Sequence, residues 1–205
     1  MDELGLCLVT DRTQTRGREL VAVVGECLAA GLPAVQVREK DLGAADLALL
    51  CRRLVGPVRD ARAMLVVNDR VDVALAVGAD AVQRTHTSLP VDDIRRVAGD
   101  RLRIGVSVHS LDGALGAELK GADWVTYGPI YDTPSKRPYG APQGLDRLAA
   151  LTRRLRIPVI AIGGITPERV KDVRQAGARG VAVISSILAA DSPADAIRRF
   201  LAELT

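Results

Sequence analysis

A parallel eight-stranded α/β barrel, (β/α)8, is the fold this sequence predicts, as one domain over residues 1–205. Three observations carry that expectation. Short runs of Val, Ile, Leu and Ala alternate with longer amphipathic stretches from end to end. Most of the runs are nearly continuous in apolar residues, as in strands covered on both faces. The 205 residues also divide into eight strand-plus-helix units of about 25 residues, the scale of a compact barrel. A doubly wound sheet is the alternative. It normally has fewer strands, and no Gly-x-Gly-x-x-Gly follows the first run.

The first strand is expected at residues 4–10, with a helix over 17–30, and the second at 33–38, with a helix over 43–61. The third, fourth, fifth and sixth strands are expected at 63–68, 81–83, 102–107 and 124–127. A long segment rich in Pro and Gly follows at 128–144, and such loops in compact domains are usually functional. A helix over 146–155 leads to the seventh strand at 157–162, and the eighth, at 180–184, closes the ring. A weak echo marks four of the joins: Gly31 to Val35, Gly78 to Val82, Gly121 to Val125 and Gly177 to Val181 all read Gly-x-x-x-Val. Each Gly is placed to end a helix in the left-handed conformation and turn into the next strand.

Composition narrows the function. Hydrophobic residues make up 48% and charged residues 26%, which excludes disorder, while aromatics at 2% require an aliphatic core. The net charge is only +3 with arginines scattered, and few rings are present to stack bases, so nucleic acid is not an expected partner. A small anionic ligand is compatible. Cys7, Cys27 and Cys51 show neither a CxxC nor Cys/His spacing, which argues against a disulfide framework and against zinc. With no basic apolar leader and no run of about 18 apolar residues, no membrane partner is expected and the expected location is cytoplasmic.

In a parallel barrel, chemistry sits at the C-terminal ends of the strands. Those ends are polar here: Gln36, Arg38, Glu39 and Lys40 after the second run, Asn68-Asp69-Arg70 after the third, and Gln83-Arg84-Thr85-His86 after the fourth. Ser107 and His109 end the fifth, and Thr133, Ser135 and Lys136 follow the sixth. Gly163-Gly164 ends the seventh and Ser185-Ser186 the eighth, the usual phosphate position of such barrels, where glycines let backbone N–H groups approach an anion. His109 and His86 are the only imidazoles, and an imidazole suits proton transfer near neutral pH. His109 is the expected proton carrier at the barrel mouth, and His86 is expected in solvent.

Several segments, in order, resemble the thiamine phosphate synthase/TenI superfamily nearly end to end. They are Val35-Gln36-Val37-Arg38-Glu39-Lys40, Val67-Asn68-Asp69-Arg70, Ile104 to His109, Gly128 to Lys136, Ala161 to Ile165 and Gly180 to Ser185. The resemblance implies a barrel of thiamin biosynthesis with two branches. A synthase joins an aminopyrimidine pyrophosphate to a thiazole phosphate with Mg²⁺, and a tautomerase aromatises a carboxythiazole phosphate without a cofactor. By motif, Gln36, Arg38, Lys40, Asn68, Ser107, Thr133, Ser135 and Lys136 would bind pyrophosphate in a synthase, with Asp69 on the metal. Gly163, Gly164, Ile184 and Ser185 would bind the thiazole phosphate.

The second metal carboxylate of synthases is replaced by Ser88, and Arg84 adds a cation nearby. Together with Val82-Gln83 and Val108-His109-Ser110-Leu111, this resembles the tautomerase branch. The expected activity is therefore the tautomerase, an isomerase, with His109 moving the proton and Arg38, Lys40 or Arg84 facing the ligand carboxylate. The synthase is the alternative, and a non-catalytic thiazole phosphate binder a third reading. Barrels of this family often pair, so a homo-oligomer is an open expectation.

Overall fold

The computed structural model describes residues 3–133 and 141–204. Its strands are β1 (Leu6–Val9), β2 (Ala34–Val37), β3 (Met64–Asn68), β4 (Ala81–Arg84), β5 (Arg103–Val108), β6 (Trp124–Tyr127), β7 (Val159–Ile162) and β8 (Gly180–Val183). They pair in parallel in sequence order, and β8 pairs with β1 to close the barrel. Closure removes every sheet edge. The helices are α1 (Leu20–Ala29), α2 (Ala44–Asp60), α3 (Val71–Val77), α4 (Val91–Ala98), α5 (Leu111–Leu119), α6 (Gly144–Thr152), α7 (Pro167–Gln175), α8 (Ser185–Leu188) and α9 (Pro193–Leu204). No helix among the described residues is long and apolar enough to cross a membrane.

Period-two alternation divides the aliphatic residues between two cores. Leu8, Val35, Val67, Val82, Ile104, Val125 and Val181 point outward and pack under helices through Leu28, Leu54, Ile94, Leu148, Val170 and Phe200. Val9, Ala34, Met64, Val66, Ala81, Trp124, Ile160 and Ala182 point inward and fill the barrel. The space left inside is about 10 Å³, roughly one water sphere. Trp124 is the largest of these inward side chains. Gly105 makes room for it, because a Cβ there would lie 2.3 Å from both Trp124 and the Gln83 amide oxygen. The interior is a plug, so ligands are confined to the rim.

All four glycines of the sequence echo have positive φ, at 96°, 67°, 84° and 92° for Gly31, Gly78, Gly121 and Gly177. Element ends differ from expectation where side chains or loops set them. The first helix begins at Leu20 rather than 17, because Gly17 has φ +81° and Glu19 caps the helix by accepting from the Ala22 N–H at 2.8 Å. The sixth helix covers Gly144–Thr152 rather than 146–155. Its start is set by the loop before it: the N–H groups of Gln143 and Gly144 donate to the carbonyls of Pro129 and Ile130 at 2.8 and 3.0 Å.

Candidate active site

Just above the apolar plug, inward side chains from five neighbouring strands make a polar floor. They are Gln36 of β2, Asn68 of β3, Gln83 of β4, Ser107 of β5 and Thr126 of β6. Gln36 donates to the Asn68 carbonyl oxygen at 3.1 Å, and Gln83 donates to the Ser107 hydroxyl at 3.0 Å. Both glutamines are buried, and their amides are satisfied by these neighbours, as buried polar groups must be. The matching level of β7, β8 and β1 is apolar, with Ile162, Ile184 and Val9. The mouth therefore has a polar half and an apolar half.

Rising from the polar half, Arg38 continues the inward face of β2 and is half-buried, while Lys40 is exposed. The backbone under them is tied to β1. The Arg38 N–H donates to Thr10 Oγ1 at 2.9 Å, and that hydroxyl donates to Glu39 at 2.6 Å. The buried Glu39 carboxylate also accepts from the Arg12 backbone N–H at 3.1 Å and from its guanidinium at 3.2 Å. Arg12 bridges on to Asp41, whose carboxyl it holds below the usual carboxylate range.

At the end of β3, Asp69 takes a left-handed backbone with φ +67°, and its N–H donates to the Gln83 carbonyl at 2.9 Å. The Ser88 hydroxyl donates to its carboxylate. Ser88 is itself held by the Thr85 N–H at 2.8 Å and lies 3.0 Å from the Thr85 hydroxyl. The Asp69 carboxylate and the Ser88 and Thr85 hydroxyls form an oxygen-rich corner. Mg²⁺ is typically held by one or two carboxylates plus substrate phosphate oxygens and waters, and this donor set fits that pattern. Among the described residues no group of three His, Cys, Asp or Glu forms a complete protein cage.

Across the ring, four strands away from β3, the end of β7 turns at Gly163 and Gly164, with φ +103° and +64°. A Cβ on Gly163 would lie 2.5 Å from Pro129, and one on Gly164 would lie 2.8 Å from Tyr131 Cβ. Beside this turn, Ile184 precedes α8, which begins at Ser185 and Ser186. Outside the strand ladder and among the described residues, the N–H groups of Gly164, Ser185 and Ser186 donate to no backbone carbonyl. Such free N–H groups suit a phosphate.

The remaining expected residues fall as follows. His109 is exposed at the rim after β5, and its Nδ1 lies 2.6 Å from the Gly128 carbonyl. A carbonyl only accepts, so Nδ1 carries the proton, and the imidazole ties β5 to the base of the following loop. Thr133 is described and half-buried, whereas Ser135 and Lys136 lie outside the described residues. Arg84 does not join the polar floor. It follows the inward Gln83, so alternation turns it outward. There its Nε donates to the Leu89 carbonyl at 3.3 Å, and it lines a groove of about 450 Å³ between α4 and α5 with Val106, Val108 and Gly113. That groove also reaches Ser107 and His109.

Thr10 and Thr126 were not among the expected strand-end residues, and Gln83 and Glu39 were expected there only as polar strand ends with no binding role. Gln83, whose inward position period-two counting would have found, completes the polar floor. Thr10 and Glu39 support Arg38 from below, a contact between sequence-distant segments that no local pattern signals.

The sequence profile of the family described as thiamine monophosphate synthase matches residues 6–187. The chain belongs to the thiamine monophosphate synthase/TenI family. A relative from Geobacter sulfurreducens is 46% identical over 202 residues, covering 98% of this chain and 95% of its own. A thiamine-phosphate synthase of Chloroflexus aurantiacus is 43% identical over 197 residues, covering 96% of this chain and 91% of its own. Among solved structures, a thiamine phosphate pyrophosphorylase of Pyrococcus furiosus superposes with a TM-score of 0.91 at 34% identity, over 99% of this chain and 96% of that one.

These relatives overturn the expectation of a tautomerase and of an isomerase, because the names they carry are those of the synthase, a transferase. Ser88 had argued for the tautomerase as a lost carboxylate. The structure shows its hydroxyl engaged with Asp69, in an oxygen-rich corner that one carboxylate can serve. The acid–base role expected of His109 belonged to the tautomerase reading and goes with it.

Proposed function

We propose that the protein is a thiamine-phosphate synthase, joining an aminopyrimidine pyrophosphate to a thiazole phosphate and releasing pyrophosphate. The observation that supports this reading is the facing of two unlike polar walls across one mouth, each suited to a phosphate-bearing substrate. One is the Gln36–Asn68 and Asp69–Ser88 wall at the ends of β2, β3 and β4, and the other is the glycine turn at the end of β7. A reaction between two phosphorylated substrates needs two such sites within reach of one another.

In this reading, Arg38, Lys40, Gln36 and Asn68 bind the pyrophosphate, Ser107 orients beside it, and Asp69 with Ser88 holds Mg²⁺. When bound, the ion offsets negative charge on the pyrophosphate as the carbon–oxygen bond breaks. Arg38 and Lys40 offset the same charge from the protein, and they act most strongly where it grows during departure. The N–H groups of Gly163, Gly164 and Ser185, with Ile184 setting the start of α8, bind the thiazole phosphate. That holds the thiazole nitrogen toward the pyrimidine methylene over the polar floor. The Thr133, Ser135 and Lys136 segment adds further donors to the pyrophosphate.

The test is turnover. Purified protein with both precursors and Mg²⁺ should form thiamin phosphate and pyrophosphate in equal amounts, and chelation of Mg²⁺ should stop it. Formation of neither product, with both precursors intact, would refute the proposal.

A further inference from the structure

The turn at Gly163 and Gly164 binds an anion only if its carbonyls face away from the mouth, and the structure shows how they are turned. Four consecutive carbonyls are each held by a separate donor. Ile162 accepts from the Ile130 N–H at 2.9 Å, and Gly163 accepts from the Tyr131 N–H at 3.0 Å. Gly164 accepts from the Arg169 guanidinium at 2.5 Å, and Ile165 accepts from the Ser186 hydroxyl at 2.8 Å. In a planar trans peptide the N–H points opposite to the carbonyl. Holding carbonyls 162 to 164 therefore aims the N–H groups of Gly163, Gly164 and Ile165 the other way. Outside the strand ladder, the N–H groups of Gly164 and Ile165 donate to no backbone carbonyl among the described residues.

Two of the four donors belong to the backbone of the preceding loop, and a third is a hydroxyl on α8. Arg169, in the first turn of α7, is different: it is exposed and charged, and it reaches back five residues to its carbonyl. Its guanidinium also lies over the Tyr131 ring, 4.4 Å from the centroid, and Tyr131 Cβ is what a side chain on Gly164 would strike. The ring thus backs the glycine and sets the plane of the guanidinium, while the guanidinium holds the carbonyl. We infer that Arg169 is a positioning residue for the phosphate of the thiazole substrate, acting through the Gly164 peptide without touching the ligand. The inference rests on the synthase reading only for the identity of that ligand.

Without Arg169, the Gly164–Ile165 peptide is free to rotate, since glycine on one side imposes little restraint. A carbonyl turned into the mouth would repel the phosphate. Arg169→Ala should raise KM for the thiazole phosphate about tenfold, the size of one charge-assisted hydrogen bond. KM for the aminopyrimidine pyrophosphate and kcat at saturation should stay within about twofold. Arg169→Lys keeps the donor without the planar stack and should recover part of the loss. A merely structural role would move both KM values together and lower thermal stability in parallel. That result, or no change in either KM, would overturn the inference.

Inorganic phosphate titrated into the wild type and Arg169→Ala gives a readout independent of turnover. The expected result is about tenfold weaker binding in the variant. Equal affinities would overturn the positioning role. Weaker phosphate binding in the variant, alongside a wild type that forms no thiamin phosphate, would sustain the positioning role and remove the synthase reading.

Discussion

Replacing Gly163 by Ala probes the β7 turn at its tightest point. The residue sits at φ +103°, where an L side chain costs about 1–2 kcal/mol. The new Cβ would lie 2.5 Å from Pro129 Cβ and 2.6 Å from Pro129 Cα. The second of these is backbone, so the loop after β6 must shift as a unit, at about 1–3 kcal/mol more. The sum, about 2–5 kcal/mol, lowers Tm by the order of 10 °C for a chain of this size. The same shift disturbs the hydrogen bonds from Ile130 and Tyr131 to the turn, so the thiazole phosphate should bind at least about tenfold more weakly. A thermal melt and a KM measurement on one preparation read both effects. An Ala variant with the wild-type Tm and KM would refute the packing and the assignment of the turn.

The other predictions concern the opposite wall and the core. Asp69→Asn should keep the fold but cut turnover by about 10²-fold or more, read as kcat/KM with Mg²⁺ saturating. Ser88→Asp places a second carboxylate against the first. It should lower the Mg²⁺ concentration for half-maximal rate, while Mg²⁺ raises the variant's Tm more than the wild type's. Glu39→Ala strips the partners from Thr10 and Arg12 and should cost about 2–3 kcal/mol in a denaturant melt, with a raised KM for the pyrophosphate substrate through Arg38. Burial pushes the thiols of Cys27 and Cys51 up to about 12 and about 11, so neither forms thiolate near pH 8. Both should stay unreactive to a thiol reagent until denaturant is added.

The barrel was legible because its signals are local. Each strand is a short aliphatic run, and each of four joins carries a Gly that the structure finds at positive φ. The mouth was legible as a set of polar strand ends, and Gln36, Asn68, Asp69 and Ser107 do gather there. Arg84 stands apart from that set for a reason already present in the strand: counting by two from Gln83 turns it outward. The choice between branches failed at Ser88, because a serine in place of a carboxylate says nothing about the hydroxyl's partner until folding brings position 88 to position 69. Thr10 and Arg169, and the supporting role of Glu39, escaped notice for the same reason. Each acts through a backbone group, at positions 38 and 164, and such contacts leave no mark in residue types.

Crystals grown with thiazole phosphate, inorganic pyrophosphate and Mg²⁺ give the most direct view of whether two anion sites face each other across the barrel mouth. The expected electron density has the thiazole phosphate on the N–H groups of Gly163, Gly164 and Ser185, with pyrophosphate and the metal at Asn68, Asp69 and Ser88. Density for both anions on the same wall, or for pyrophosphate in the outer groove beside Arg84, would contradict it.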